Sequence, residues 1–136
     1  MDLPTWDPAM DLGHPALDEA HQALFADMMR LFAAPDSELA EGLSQLCDKL
    51  ERDFREEEDL MEALDWHDVK EHREQHARVL SALHHVEVGE PGEAREAIML
   101  LPQWFQLHVA TMDRALAAAL DLAHRARPGR GSGVTL

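Results

Sequence analysis

A single cysteine in 136 residues, Cys47, rules out an internal disulfide framework. Its neighbours Leu43 and Leu46, at helical spacing, make it packing material rather than a reactive thiol. Basic residues are also scarce. Only 12 Lys and Arg stand against 27 Asp and Glu, a formal charge of -15 with neutral histidines. Affinity for a phosphate backbone or an anionic membrane surface comes from Lys and Arg, so neither nucleic acid nor membrane is expected as a partner. No apolar run reaches the roughly 18 residues of a membrane span. The first residues, with Asp2, Trp6 and Asp7, lack the basic-then-apolar order of a signal peptide, and a cytoplasmic protein is expected. No internal repeat recurs at a fixed period. What the chain does have is 46% apolar content in a length suited to one domain with one continuous core, and nine histidines.

The apolar residues recur at three- and four-residue steps, the period of helices. Residues 1–16, with Pro4, Pro8, Gly13 and Pro15, form an irregular arm anchored by Trp6. The first helix is predicted from about Leu17 to Ala33, facing inward with Leu17, His21, Leu24, Phe25, Met28 and Phe32. After the breaker Ala34-Pro35-Asp36, Ser37 is the expected N-cap of a second helix reaching about Leu64. A third, from about His67 to Val88, turns Val69, His72, His76, Val79, Leu80, Leu83 and Val86 inward and stops near Gly89. Pro91 and Gly92 form the next connection. A fourth, from about Glu93 to Arg125 and kinked at Pro102, presents Ile98, Leu101, Trp104, Phe105, His108, Ala115, Leu116 and Ala119. Residues 127–136 read as a flexible tail, leaving 17–126 as the folded body. Four amphipathic helices with short connections imply an all-α, up-down-up-down four-helix bundle with an N-terminal arm.

Polar residues interrupt every apolar face. Leu39, Leu43, Leu46 and Leu50 lead along the second helix to Asp53 and Glu57, before Met61 and Leu64 resume the stripe. The other helices contribute His21; His72 and His76; and His108, with Asp113 five residues further on. Unmatched, each buried polar group would cost several kcal/mol, against a total stability of about 5–15 kcal/mol. Four imidazoles and three carboxylates are a donor set for first-row transition metals, with carboxylates able to bridge two ions. A two-metal site follows, and Mn and Zn are among the ions that so carboxylate-rich a set can take.

The chain resembles the hemerythrins, non-haem di-iron four-helix bundles, over roughly residues 6–119. The resemblance rests on Trp6, Leu17-Asp18-Glu19-Ala20-His21, Phe54-Arg55-Glu56-Glu57-Glu58-Asp59-Leu60-Met61, His72-Arg73-Glu74-Gln75-His76 and the run from Trp104 to Asp113. It implies two iron ions with an oxo or hydroxo bridge. His72, His76 and His108 would hold one iron; His21 would serve the other, which keeps an open position for O2; Glu57 and Asp113 would bridge. A ferritin-like site fits less well, because neither metal-facing pair has the Glu-x-x-His form. The departure is Asp53, where the family pattern has histidine. Its carboxylate reaches about 2–3 Å less far than an imidazole, so it binds through a water, draws its helix inward or leaves a second open position. As a ligand it would add negative charge and favour ferric iron.

The resemblance implies O2 binding for carriage, storage, delivery or sensing. A redox enzyme reducing O2, peroxide or nitric oxide with an external electron donor, and an iron-handling or iron-sensing module, are the alternatives. Of the remaining histidines, His14, His67, His84, His85 and His124 are expected at the surface or in caps, with His14 and His67 open as substitutes for the missing imidazole. Glu56 and Glu58 are expected in solvent, with Glu56 a possible extra carboxylate. Leu24, Phe25 and Trp104 either line a dry pocket over the open iron or are ordinary core.

Overall fold

A computed structural model describes residues 5–87 and 91–125, and the architecture is the expected all-α four-helix bundle. Helix α1 spans Pro15–Phe32, α2 Asp36–Ala63, α3 Val69–Glu87 and α4 Pro91–His108. A π-helical turn, Val109–Asp113, carries α4 into α5, Arg114–Arg125, and the backbone stays helical at both joints. Helix α2 packs on α1, α3 and α4, and α1 also packs on α4. No described helix is long and apolar enough to cross a membrane.

Local chemistry sets the helix ends. Pro15 opens α1 at a position where its missing N–H is no loss, and His14 caps it, Nδ1 accepting from the Leu17 amide at 3.3 Å. Asp18 reaches back to accept from the amides of Leu12 and Gly13, and Gly13 takes the left-handed φ of +73° that this turn needs. Helix α2 begins two residues earlier than expected. Extended Pro35 is its N-cap, and Ser37 makes no capping bond. Arg95 of α4 stabilises the corner instead, donating to the carbonyls of Phe32 and Ala34 and to the Asp36 carboxylate at 2.6 Å. Pro91 and Gly92, expected as connection, begin α4, where a proline at the first helical position is favourable. Helix α4 then runs unbroken past Pro102. The expected stop at Gly89 and the expected tail lie outside the described residues.

Two corrections concern which face is buried. On α2 the buried stripe runs Leu39, Leu43, Leu46, Leu50, Phe54, Glu57, Met61. From Leu50 both a three- and a four-residue step continue a helical stripe, and Phe54 takes the place expected for Asp53. Burying an aromatic ring is worth about 1.5–3 kcal/mol, whereas a carboxylate there is penalised. The second correction lies beyond the π turn. Its i→i+5 bonding absorbs one extra residue, so Leu116 and Ala117 are buried, while Ala115 is exposed and Ala119 only half-buried.

The arm is seated on the body. Met10, in a short 3-10 turn capped by Asp7, is fully buried, and Trp6 sets its ring edge-on to Phe25 at 5.8 Å. Gln106 donates to the Thr5 carbonyl, and Arg114 to the carbonyls of Ala9 and Asp11.

Candidate metal centre

Six polar side chains are buried where the four helices meet: His21 from α1, Glu57 from α2, His72 and His76 from α3, His108 from α4 and Asp113 from the π turn. His72 and His76, four residues apart, share one face of α3. His108 and Asp113 would not share a face in a regular α-helix, where five residues turn by about 500° and leave the pair about 140° apart. The π turn brings them together. A signal for it was present in the sequence, since a spacing of five between two core-facing polar residues is out of phase with an α-helix.

The geometry is divided in two. His72 and His76 each place Nε2 3.1 Å from His108 Nε2. Opposite them, His21 Nε2 lies 3.0 Å from Glu57 Oε2 and 3.1 Å from Asp113 Oδ2. Each carboxylate turns its other oxygen to the three histidines: Asp113 Oδ1 lies 2.9 Å from His72 Nε2, and Glu57 Oε1 3.3 Å from His76 Nε2. One donor atom from each of Glu57, His72, His76, His108 and Asp113 fits within 4.8 Å of the others.

These donors fit a cation better than they fit one another. Glu58 accepts at His76 Nδ1, 2.9 Å away, and Gln75 Oε1 lies 3.1 Å from His108 Nδ1, so both rings carry their proton on the outer nitrogen. While both rings are neutral, their two Nε2 lone pairs face each other with no proton between them. Glu57 Oε1 and Asp113 Oδ1 are buried without a hydrogen-bond partner. An ion about 2.1 Å from two nitrogens at right angles would hold them about 3.0 Å apart, close to the spacing seen. Stacked rings brace the ligands from outside: Phe54 on His76 at 3.8 Å and Trp104 on His108 at 4.7 Å, with Phe105 edge-on to His21.

Electrostatics tells the same story. Burial alone would lower the His21 pKa, yet hydrogen bonds and charge from Asp113 and Glu57 outweigh it and raise it to about 10. His76 is raised likewise against burial, by Glu57 and then Glu58. Burial would raise Asp113, but the adjoining imidazoles of His108, His21 and His72 hold it well below the usual carboxylate range. Without metal, a protonated His21 is the cation between the two carboxylates. Because its folded pKa exceeds the unfolded value, its contribution is complete below about pH 6.5 and is lost as pH rises through about 10. The metal-free protein is expected to lose about 5 °C or more of melting temperature between pH 7 and 10. His21→Gln should show a smaller loss, the remainder coming from His76, and equal losses in both proteins would remove His21 as a cause.

Asp53 is not brought into this group. Its side chain is 15% exposed, its ion-pair neighbour is Arg52 at 3.8 Å, and burial, the largest influence on it, raises its pKa. His14 is occupied as a helix cap, and His67 is exposed beside Asp68. His84 pairs with Glu51, and His85 and His124 are exposed. Glu56 is exposed as expected. Glu58 is not in solvent as expected: α3 supplies it with His76 and Arg73. Leu24 and Phe25 are buried in the core, against which the half-buried Trp104 packs.

No protein-family model matches the chain. A curated bacteriohemerythrin of Ralstonia nicotianae (strain ATCC BAA-1114 / GMI1000) is 30% identical to it over 124 residues, which cover 88% of this chain and 90% of that protein.

Proposed function

We propose that this chain, which belongs to the hemerythrin family, holds a pair of iron ions and binds O2 there, for carriage, storage, delivery or sensing. The observation that carries this reading is the division of the two carboxylates: Glu57 and Asp113 each turn one oxygen to His21 and the other to the three histidines. His72, His76 and His108 serve one ion, His21 the other, and Glu57 and Asp113 both. A reduced iron pair, when bound, supplies the electrons and the vacant coordination position that O2 requires. The chain's own residues fix the imidazoles, keep bulk water out by burial, and balance the ions' charge with two carboxylates.

Asp53 makes the two halves unequal. Its carboxylate lies outside the converging atoms, so on the His21 side only one imidazole is present. That carboxylate-rich half favours ferric iron and supports a second reading: reduction of O2, peroxide or nitric oxide with electrons from an external donor. Stopped-flow absorption of the anaerobically reduced, iron-loaded protein mixed with O2, with iron measured on the same sample, separates the two. A band that persists, and reverts to the reduced spectrum under vacuum, supports reversible O2 binding; direct passage to the oxidised spectrum supports turnover. Asp53→His is expected to slow that oxidation by about tenfold or more, the order at which a ligand's immediate surroundings act. Unchanged kinetics would detach Asp53 from the His21-side ion.

A further inference from the structure

The four site imidazoles differ at their outer nitrogens. His21 Nδ1 and His72 Nδ1 are buried without a hydrogen-bond partner. His108 Nδ1 meets the neutral amide of Gln75, whereas His76 Nδ1 meets the carboxylate of Glu58 at 2.9 Å. Glu58 is held in turn. Its other oxygen lies 3.2 Å from Arg73 Nε, and the far end of that guanidinium pairs with Glu62. Arg73 and His76 are three residues apart on α3, so Glu58 of α2 meets both with one side chain. A surface cavity of about 290 Å³, lined by Phe54, Arg55, Glu58, Arg73 and His76 among others, lies at this edge.

We infer that Glu58, fixed by Arg73, is a positioning residue that makes His76 the strongest electron donor of the site's histidines. This rests on the metal reading above. A carboxylate that accepts the Nδ1 proton locks the tautomer whose Nε2 lone pair points inward, and draws positive charge outward from the ring. The amide of Gln75 does the same for His108 with a weaker, uncharged bond. The three-histidine half is thereby graded, and Glu58 and Arg73 transmit that grading from a partly solvated edge.

The experiment is a Co2+ titration of the metal-free protein followed by its visible absorption, with the reduction potential of the iron-loaded protein as second readout. Glu58→Ala is expected to weaken Co2+ binding by about 10–100-fold. Glu58→Gln, which keeps an acceptor but no charge, should lose less affinity and still raise the potential, because the negative charge that favoured ferric over ferrous iron is gone. Unchanged affinity and potential in Glu58→Ala overturn the inference. Should Glu58→Ala fail to fold, the near-isosteric Glu58→Gln decides alone: an unchanged potential overturns the inference, a raised one sustains it. Failure of the unmodified protein to bind Co2+ would instead overturn the metal reading, and this inference with it.

Discussion

Glu57→Ala is expected to retain at most a single ion where the unmodified protein takes up a pair, read as metal per chain by elemental analysis after reconstitution. Glu57 is 3.0 Å from His21 and 3.3 Å from His76, through different oxygens, so its loss removes a donor from both halves at once. The half served by His21 suffers more. It would keep one imidazole and one Asp113 oxygen, whereas the other half keeps three imidazoles and Asp113 Oδ1. Retention of the pair at unchanged stoichiometry would sink the bridging role. The variant should still fold, because Leu50, Phe54 and Met61 continue the buried stripe on either side of the gap.

Chelation should lower the melting temperature by about 10–20 °C. A ligand present at a thousand times its dissociation constant stabilises the state it binds by about 4 kcal/mol, and a domain of this size shifts by a few degrees for each kcal/mol. The expectation has a local cause as well. Removing the ions leaves Glu57 Oε1 and Asp113 Oδ1 buried without partners and the lone pairs of His76 and His108 opposed. His21 and His76, both with raised pKa values, offset part of this by taking up a proton. Differential scanning calorimetry of loaded and chelated protein at pH 7 checks it. Coincident melting curves would mean that the six side chains satisfy one another without a cation.

Much of this was legible in the sequence. The leucines of α2, the pair His72 and His76, and the positions of His21 and His108 follow from helical spacing alone, because a buried face repeats with the helix whatever it packs against. Asp53 was misplaced by the same logic. Spacing permits either a three- or a four-residue step after Leu50, and the choice belongs to the competition between a ring and a carboxylate for one buried position. Glu58 was read as solvated because its partners, His76 and Arg73, lie on another helix. No property of the α2 sequence announces them. The face of α5 was displaced because the π turn intervenes, and periodicity extrapolates only through unbroken helix.

That turn has a further consequence, for anyone aligning this chain with its relatives or altering its length. Between His108 and Arg114 the polypeptide carries one residue more than an α-helix would need to join the same two faces. Deleting one of the residues Val109–Met112 would convert the wide turn to ordinary helix while leaving Asp113 near His108 and Leu116 still inward. The same deletion within α5 would swing everything after it by about 100° around the axis. A single-residue gap is therefore conservative at one point on this helix and disruptive a turn later.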